Sequence, residues 1–361
     1  MRNASIGFDQ MTASALTIET DQGVGYAFDS IGRYGKSGLL RERFIPRLLA
    51  ARSDDLCDHR GVIDPLRARQ VMMANEKDGG HGERAGAVGL LDAALWDLRA
   101  KIEGVPLWRA LADRYGMRLA SAEIPTYGSC GHFTDGADAA ELVAQVRRAV
   151  DLGYTTIKIK LGGSDLDTDV RRVEAAQAVL PAGGRLAVDV NGQLIAGLAP
   201  RWFAAMAARA VAWVEEPTSA LDYAALALLA EQSPLPIATG ENIFSFDDAR
   251  NLLRYGGLRR DRDLLQFDML LAYGVDELVR IVRLFSGLGW TRAHFYPHAG
   301  HLFAAHCVAG LKLGSAEAAP DPSLSYGAYW DGVPVRDGMI TIPDLPGVGY
   351  EAKANLIALM P

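Results

Sequence analysis

Cysteine is scarce in this chain. Three occur in 361 residues, Cys57, Cys130 and Cys307, an odd number without close spacing, which argues against a disulfide framework and against a zinc cluster. A reducing cytoplasm is the compartment expected for such a chain. Excess positive charge is missing too. With a net charge of -7 the chain offers no basic surface to nucleic acid, so no nucleic-acid partner is expected. No apolar run reaches the length of a membrane span, and Met1-Arg2-Asn3-Ala4-Ser5 carries no apolar leader, so no membrane partner is expected either. What remains is ordinary globular composition, 49% hydrophobic and 22% charged, with enough chain for one large barrel and a smaller domain.

Against that plain background six acid/base or ligand residues recur almost evenly. Lys160, Asp189, Glu215, Glu241, Asp268 and His298 are separated by 29, 26, 26, 27 and 30 positions, and each closes a short apolar run. One strand, one helix and their loops fill about that length in a (β/α)₈ barrel, where strand C-termini converge on one mouth. The runs at 155–161, 185–191, 213–217, 237–242, 264–268 and 293–298 are β-branched or aromatic and read as buried parallel strands. Helical patterns over 140–152, 167–180, 200–210, 223–232, 245–255, 273–288 and 301–313 lie around and between them. That alternation predicts a parallel sheet. Ile124-Pro125-Thr126-Tyr127 is the candidate first strand and 315–318 a short eighth.

Residues 1–120 read differently, with antiparallel alternation at 12–19 and 23–29 followed by helices over 38–50, 65–75 and 83–102. The stretch 333–349 resumes strand and turn character. The expected architecture is a TIM-like (β/α) barrel over 121–320. An α+β capping domain is expected from 1–120 together with a returning tail, 321–361.

Asp189, Glu215 and Glu241 are three carboxylates from three strand ends with no cysteine or histidine between them, a set suited to a hard cation. Mg²⁺ is the ion expected. Glu216 rivals Glu215, but adjacent strand residues point to opposite faces, so one of the two enters the mouth. Asn191 stands where it would support Asp189. Lys158 and Lys160, two apart, share a face, and positive neighbours with desolvation would move a lysine toward the neutral amine that a base requires. Asp268 would accept the N–H of His298, fix its tautomer and raise its basicity. His294 and His306 read as structural, and His301 comes nearest to an exception. Together the residues imply removal of a proton next to a carboxylate, Lys160 and His298 facing each other across the substrate.

Lys-Ile-Lys at 158–160, Asp-Val-Asn at 189–191, Glu-Glu-Pro at 215–217, Gly-Glu-Asn at 240–242 and the Asp268 with His298 dyad resemble the enolase superfamily, in its mandelate racemase subgroup. Further segments, among them Gly32-Arg33-Tyr34-Gly35, Asn75-Glu76-Lys77, Gly79-Gly80-His81-Gly82 and Leu265-Gln266-Phe267-Asp268, are similar to its dehydratases of tartrate and related diacid sugars. The resemblance implies that Asp189, Glu215 and Glu241 bind Mg²⁺, that Lys160 takes the α-proton, and that His298 helps the β-hydroxyl leave before a 2-keto acid such as oxaloacetate forms. It also implies that Lys77 in the cap binds the distal carboxylate, that Lys158 and His301 contact substrate, and that the chain assembles as a homo-oligomer. Three departures stand out. The subgroup's usual first strand and specificity loop are not matched before Met1-Arg2-Asn3, Pro217 replaces the sequence that follows the paired glutamates in the tartrate enzymes, and Ala299 replaces a glycine beside His298. A racemase or epimerase of a 2-hydroxy acid, or a metal- and acid-binding protein without turnover, are the alternative functions.

Overall fold

In the computed structural model the described residues are 2–5, 12–29, 35–77, 79, 82–134, 138–162, 165–194, 196–298 and 300–361. Gly32-Arg33-Tyr34, Gly80-His81 and Ala299 lie outside them. Strands β1 (Ala15–Thr20) and β2 (Gly23–Phe28) form an antiparallel hairpin. The barrel strands are β3 (Glu123–Cys130), β4 (Thr156–Lys160), β5 (Arg185–Asp189), β6 (Val214–Glu215), β7 (Ile237–Thr239), β8 (Leu264–Leu265) and β9 (Ala316–Ala318). β3 to β8 pair in parallel in chain order, and β9 pairs in parallel with the other edge of β3.

One expected strand is absent. The run 293–298 begins in a 3₁₀ turn, Arg292–His294, and reaches the sheet through a single parallel bridge between Leu265 and Phe295. Gly314 then donates to the Phe295 carbonyl at 2.8 Å, so this one residue completes the ring between β8 and β9. The cause is local: Pro297 has no N–H to offer a ladder, and His294 turns back on Thr291 through its N–H and ring.

Side-chain alternation divides the barrel wall. Ile157 and Ile159 join the main core with Leu142, whereas Tyr127, Ala187, Trp213 and Ala238 form a separate inner cluster. Tyr127 meets Trp213 edge-on with ring centroids 5.4 Å apart. This aromatic layer plugs the barrel below the mouth, and the same inward parity sends Lys158, Lys160, Asp189 and Glu215 above it.

Helix Glu83–Ile102 is apolar nearly all round because it is covered on both sides. The β1–β2 hairpin approaches so closely that a Cβ on Gly25 would stand 2.3 Å from the Ala94 carbonyl oxygen, which requires glycine there. On the other side Gly89 abuts the carbonyls of Met269 and Leu270. The tail serves both parts: β10 (Met339–Thr341) pairs antiparallel with the start of β3, while Val348 donates to Asp97 on the long helix at 2.7 Å. No helix among the described residues is long and apolar enough to cross a membrane.

Asp92 on that helix accepts from Val275 N at 2.8 Å and caps the helix Val275–Ser286. Burial pushes its carboxyl from the ordinary 3.8 up to about 7. A folded state that prefers the proton loses stability as pH climbs from the unfolded value to the folded one, here from about 4 to about 7. Asp92→Asn keeps an acceptor for Val275 and removes that loss. Thermal scans are expected to show the variant melting above the wild type at about pH 8, with the gap closing below about pH 4.

Candidate active site

The strand register assembles the mouth. Lys160 lies opposite Asp189, and Asp189 opposite Glu215, so three inward positions share one row across β4, β5 and β6. Glu241 would face outward by simple alternation from Ala238. Gly240 corrects the parity: its φ of +132° belongs to glycine, and a Cβ there would crowd Gln266 N and Phe267 N at 3.0 Å. Glu241 thereby turns inward. One carboxylate oxygen from each of Asp189, Glu215 and Glu241 lies within 4.8 Å of the others, all three residues being buried.

Each of these carboxylates is met by a different basic side chain. Lys160 Nζ stands 2.5 Å from Asp189 Oδ2. Lys158 Nζ donates to both oxygens of Glu215, at 2.6 and 2.8 Å, and also contacts Glu317 Oε1 at 2.8 Å. His298 Nε2 lies 3.1 Å from Glu241 Oε2, and its Nδ1 faces Asp268 Oδ2 at the same distance. Asn191, at φ 46°, donates to Asp189 through its backbone N–H at 2.9 Å and its amide at 3.1 Å, the supporting position expected of it. Gln266 Nε2 adds a contact of 2.5 Å to Glu215.

The electrostatics follow from burial and crowding. Burial drives Glu215 upward, to about 7, with Asp189, Glu317 and Glu241 adding to it against Lys158. Burial works the same way on Glu317, but Lys158, His298 and Lys160 outweigh it and hold that carboxyl low. Asp268 is held far below the usual carboxylate range: burial opposes this, and hydrogen bonds from His298 and His301 overcome it. Lys160 is set by its acidic neighbours. Burial disfavours its ammonium, yet Asp189, Glu215 and Glu241 outweigh that penalty and the shift is upward.

Other expected residues take different places. Glu216 is buried with φ 40°, outside the carboxylate trio, and accepts from Asn242 Nδ2 at 2.6 Å. His301 caps helix Leu302–Leu311 by accepting from Ala304 N through Nδ1 at 2.9 Å. Its Nε2 lies 3.6 Å from Asp268 Oδ1. Lys158 is fully buried between two acids. Lys77 lies exposed on the loop before helix Glu83–Ile102.

Glu317 and His132 are among the residues at the site that escaped the sequence reading. Glu317, between Ala316 and Ala318, aligns with Tyr127 and so points inward; a lone acid flanked by alanines in a buried strand was the available signal. His132, just past β3, had none. Burial, with Lys160 and Lys158 nearby, pushes its imidazole down to about 3, which leaves it neutral near pH 7.

Residues 141–356 match the family described as enolase C-terminal domain-like. The chain belongs to this family. Across the superfamily it is 26% identical to the L-talarate/galactarate dehydratase of Salmonella typhimurium, over 91% of this chain and 77% of that protein. It is 30% identical to the o-succinylbenzoate synthase of Geobacillus stearothermophilus, over 74% of this chain and 68% of that one. Its fold superposes with TM-score 0.76 on the crystal structure of L-talarate dehydratase from Polaromonas sp. JS666 complexed with Mg and L-glucarate, at 26% identity over 96% of this chain and 92% of the other. The enolase-superfamily barrel read from the motifs is thus the fold found.

Proposed function

We propose that this protein is a Mg²⁺-dependent dehydratase of acid sugars, with tartrate or a related hydroxy diacid as substrate. The observation that carries the reading is the placement of Lys160 and His298 at different edges of one carboxylate trio, Lys160 against Asp189 and His298 against Glu241. Relatives named as arabinonate, talarate/galactarate and galactonate dehydratases support the reaction class.

Asp189, Glu215 and Glu241 fit Mg²⁺ by chemistry: all donors are hard oxygens, and three buried carboxylates so close together repel one another unless a cation is shared. When bound, the ion supplies charge that polarises the substrate carboxylate. Asp189, Glu215 and Glu241 would hold the ion, and with their charge shared burial would favour the neutral amine at Lys160. Lys160 Nζ then takes the α-proton, leaving an enediolate. His298, held by Asp268, gives a proton to the β-hydroxyl as its C–O bond breaks, and water leaves. The enol tautomerises to a 2-keto acid. Lys77 is assigned to the far carboxylate.

The same opposed pair would also serve a racemase, in which no hydroxyl is lost; the product separates the readings. The purified protein with MgCl₂ is to be screened against tartrate stereoisomers, galactarate, talarate, glucarate and galactonate. 2-Keto acid is expected from at least one diacid, abolished by EDTA and restored by Mg²⁺. No keto acid from any of them, or activity indifferent to EDTA, overturns the reading.

A further inference from the structure

The interior of a (β/α)₈ barrel fills in layers of four side chains from alternate strands, usually bulky aliphatics. At the level of Glu215 this barrel has a polar layer instead. Its members are Lys158 on β4, Glu215 on β6, Gln266 just after β8 and Glu317 on β9, which are alternate positions once the Phe295 segment is counted between β8 and β9. They touch in turn around the ring. Glu317 Oε1 lies 2.8 Å from Lys158 Nζ, Lys158 donates to Glu215 at 2.6 and 2.8 Å, and Gln266 Nε2 donates to Glu215 Oε2 at 2.5 Å. All four residues are buried.

Gln266 is the uncharged member, and its amide is used on one side. Nε2 faces Glu215, with the Tyr127 hydroxyl at 3.5 Å as a weaker neighbour, while Oε1 has no partner among the described residues. A buried amide with an unmet oxygen costs stability, so a position that served packing alone would be better filled by leucine or valine. The donor is what this position supplies. The backbone behind it is fixed as well: Gln266 N donates to the Thr239 carbonyl at 2.8 Å, and a Cβ on Gly240, the residue that turns Glu241 inward, would stand 3.0 Å from the N atoms of Gln266 and Phe267.

Glu215 is therefore gripped from both directions. Lys158 reaches it from two strands away on one side and Gln266 from two strands away on the other. The two donors act differently on a carboxylate that shares an ion with Asp189 and Glu241. An ammonium offsets its charge and competes with the cation, whereas a neutral amide orients it and leaves the charge whole. We propose that Gln266 is a positioning residue that holds Glu215 against the pull of Lys158, keeping an oxygen turned toward Asp189 and Glu241 for Mg²⁺. The inference rests on the reading of that trio as a Mg²⁺ site.

The test is Mg²⁺ binding itself, with no turnover required. Gln266→Leu removes the donor at similar volume, and Gln266→Met does the same with a more pliable chain should leucine disturb the layer. By calorimetry each folded variant is expected to bind Mg²⁺ roughly 10- to 100-fold more weakly than the wild type, the loss typical of a side chain that orients a ligand from behind. Thermal scans give a second readout. The rise in melting temperature that a fixed concentration of MgCl₂ gives the wild type should shrink in step, because it follows the ratio of free ion to Kd. A merely structural role would lower the metal-free and Mg²⁺-loaded melting temperatures together and leave the rise as it was.

Mn²⁺ accepts the same hard oxygen donors, so the EPR line shape of the Mn²⁺-loaded variants is expected to differ from that of the wild type as Glu215 shifts. Wild-type Mg²⁺ affinity in both variants, or an unchanged rise in melting temperature, overturns the proposal. A wild type that binds no Mg²⁺ overturns the metal reading, and the proposal with it.

Discussion

Lys160→Ala is expected to cut turnover by roughly 10²- to 10⁴-fold, the range associated with a positioned proton-transfer group. Exchange of the substrate α-hydrogen with deuterated solvent should disappear with it. Mg²⁺ binding should persist, because the substitution removes an ammonium that competes for Asp189 at 2.5 Å and leaves all three carboxylates in place. His298→Asn is expected to lose turnover to a similar degree but with a different signature. In a dehydratase Lys160 still removes the α-proton and returns it, so exchange continues while water loss stops. In a racemase each side chain works one face, and the asparagine variant would exchange with one enantiomer alone. Magnesium titration calorimetry alongside proton NMR in deuterium oxide separates these outcomes. Normal turnover in either variant would remove the assignment of both residues.

Much of this site was legible because a barrel converts even spacing along the chain into proximity at one rim. Lys160, Asp189 and Glu215 close their strands in register, which a period of two with a charged last residue already implied. His298 reached the mouth by another route than the one its aromatic run announced, a 3₁₀ turn and one bridge at Phe295 instead of a strand. Local patterning could not distinguish these, since Phe295 and Tyr296 bury equally well from either backbone. His301 caps a helix through a ring nitrogen, a role usually filled by Ser, Thr, Asp or Asn, which its sequence setting did not announce. Glu317 was passed over because its strand follows His298 sooner than the other intervals, a consequence of the ring closing through a single residue.

The paired glutamates offer the sharpest check of the register. Glu215→Gln is expected to weaken Mg²⁺ binding by more than about 100-fold, whereas Glu216→Gln should cost no more than the roughly 10- to 100-fold typical of a side chain that supports a ligand from behind. Glu215 supplies an oxygen to the trio itself. Glu216 reaches the trio through Asn242, whose amide bridges Glu216 Oε1 at 2.6 Å and Glu241 Oε1 at 3.1 Å. Its φ of 40° takes it out of the strand alternation, and it is buried beside this bridge. Glutamine at 216 keeps an acceptor for Asn242, so Glu241 stays aimed. Glutamine at 215 removes one of three negative charges and leaves buried Lys158 with Glu317 as its remaining carboxylate. Calorimetric titration with MgCl₂, with circular dichroism to establish that both variants fold, gives the comparison directly. Equal losses would place both carboxylates on the ion and would mean that the inward row across β4, β5 and β6 is drawn wrongly.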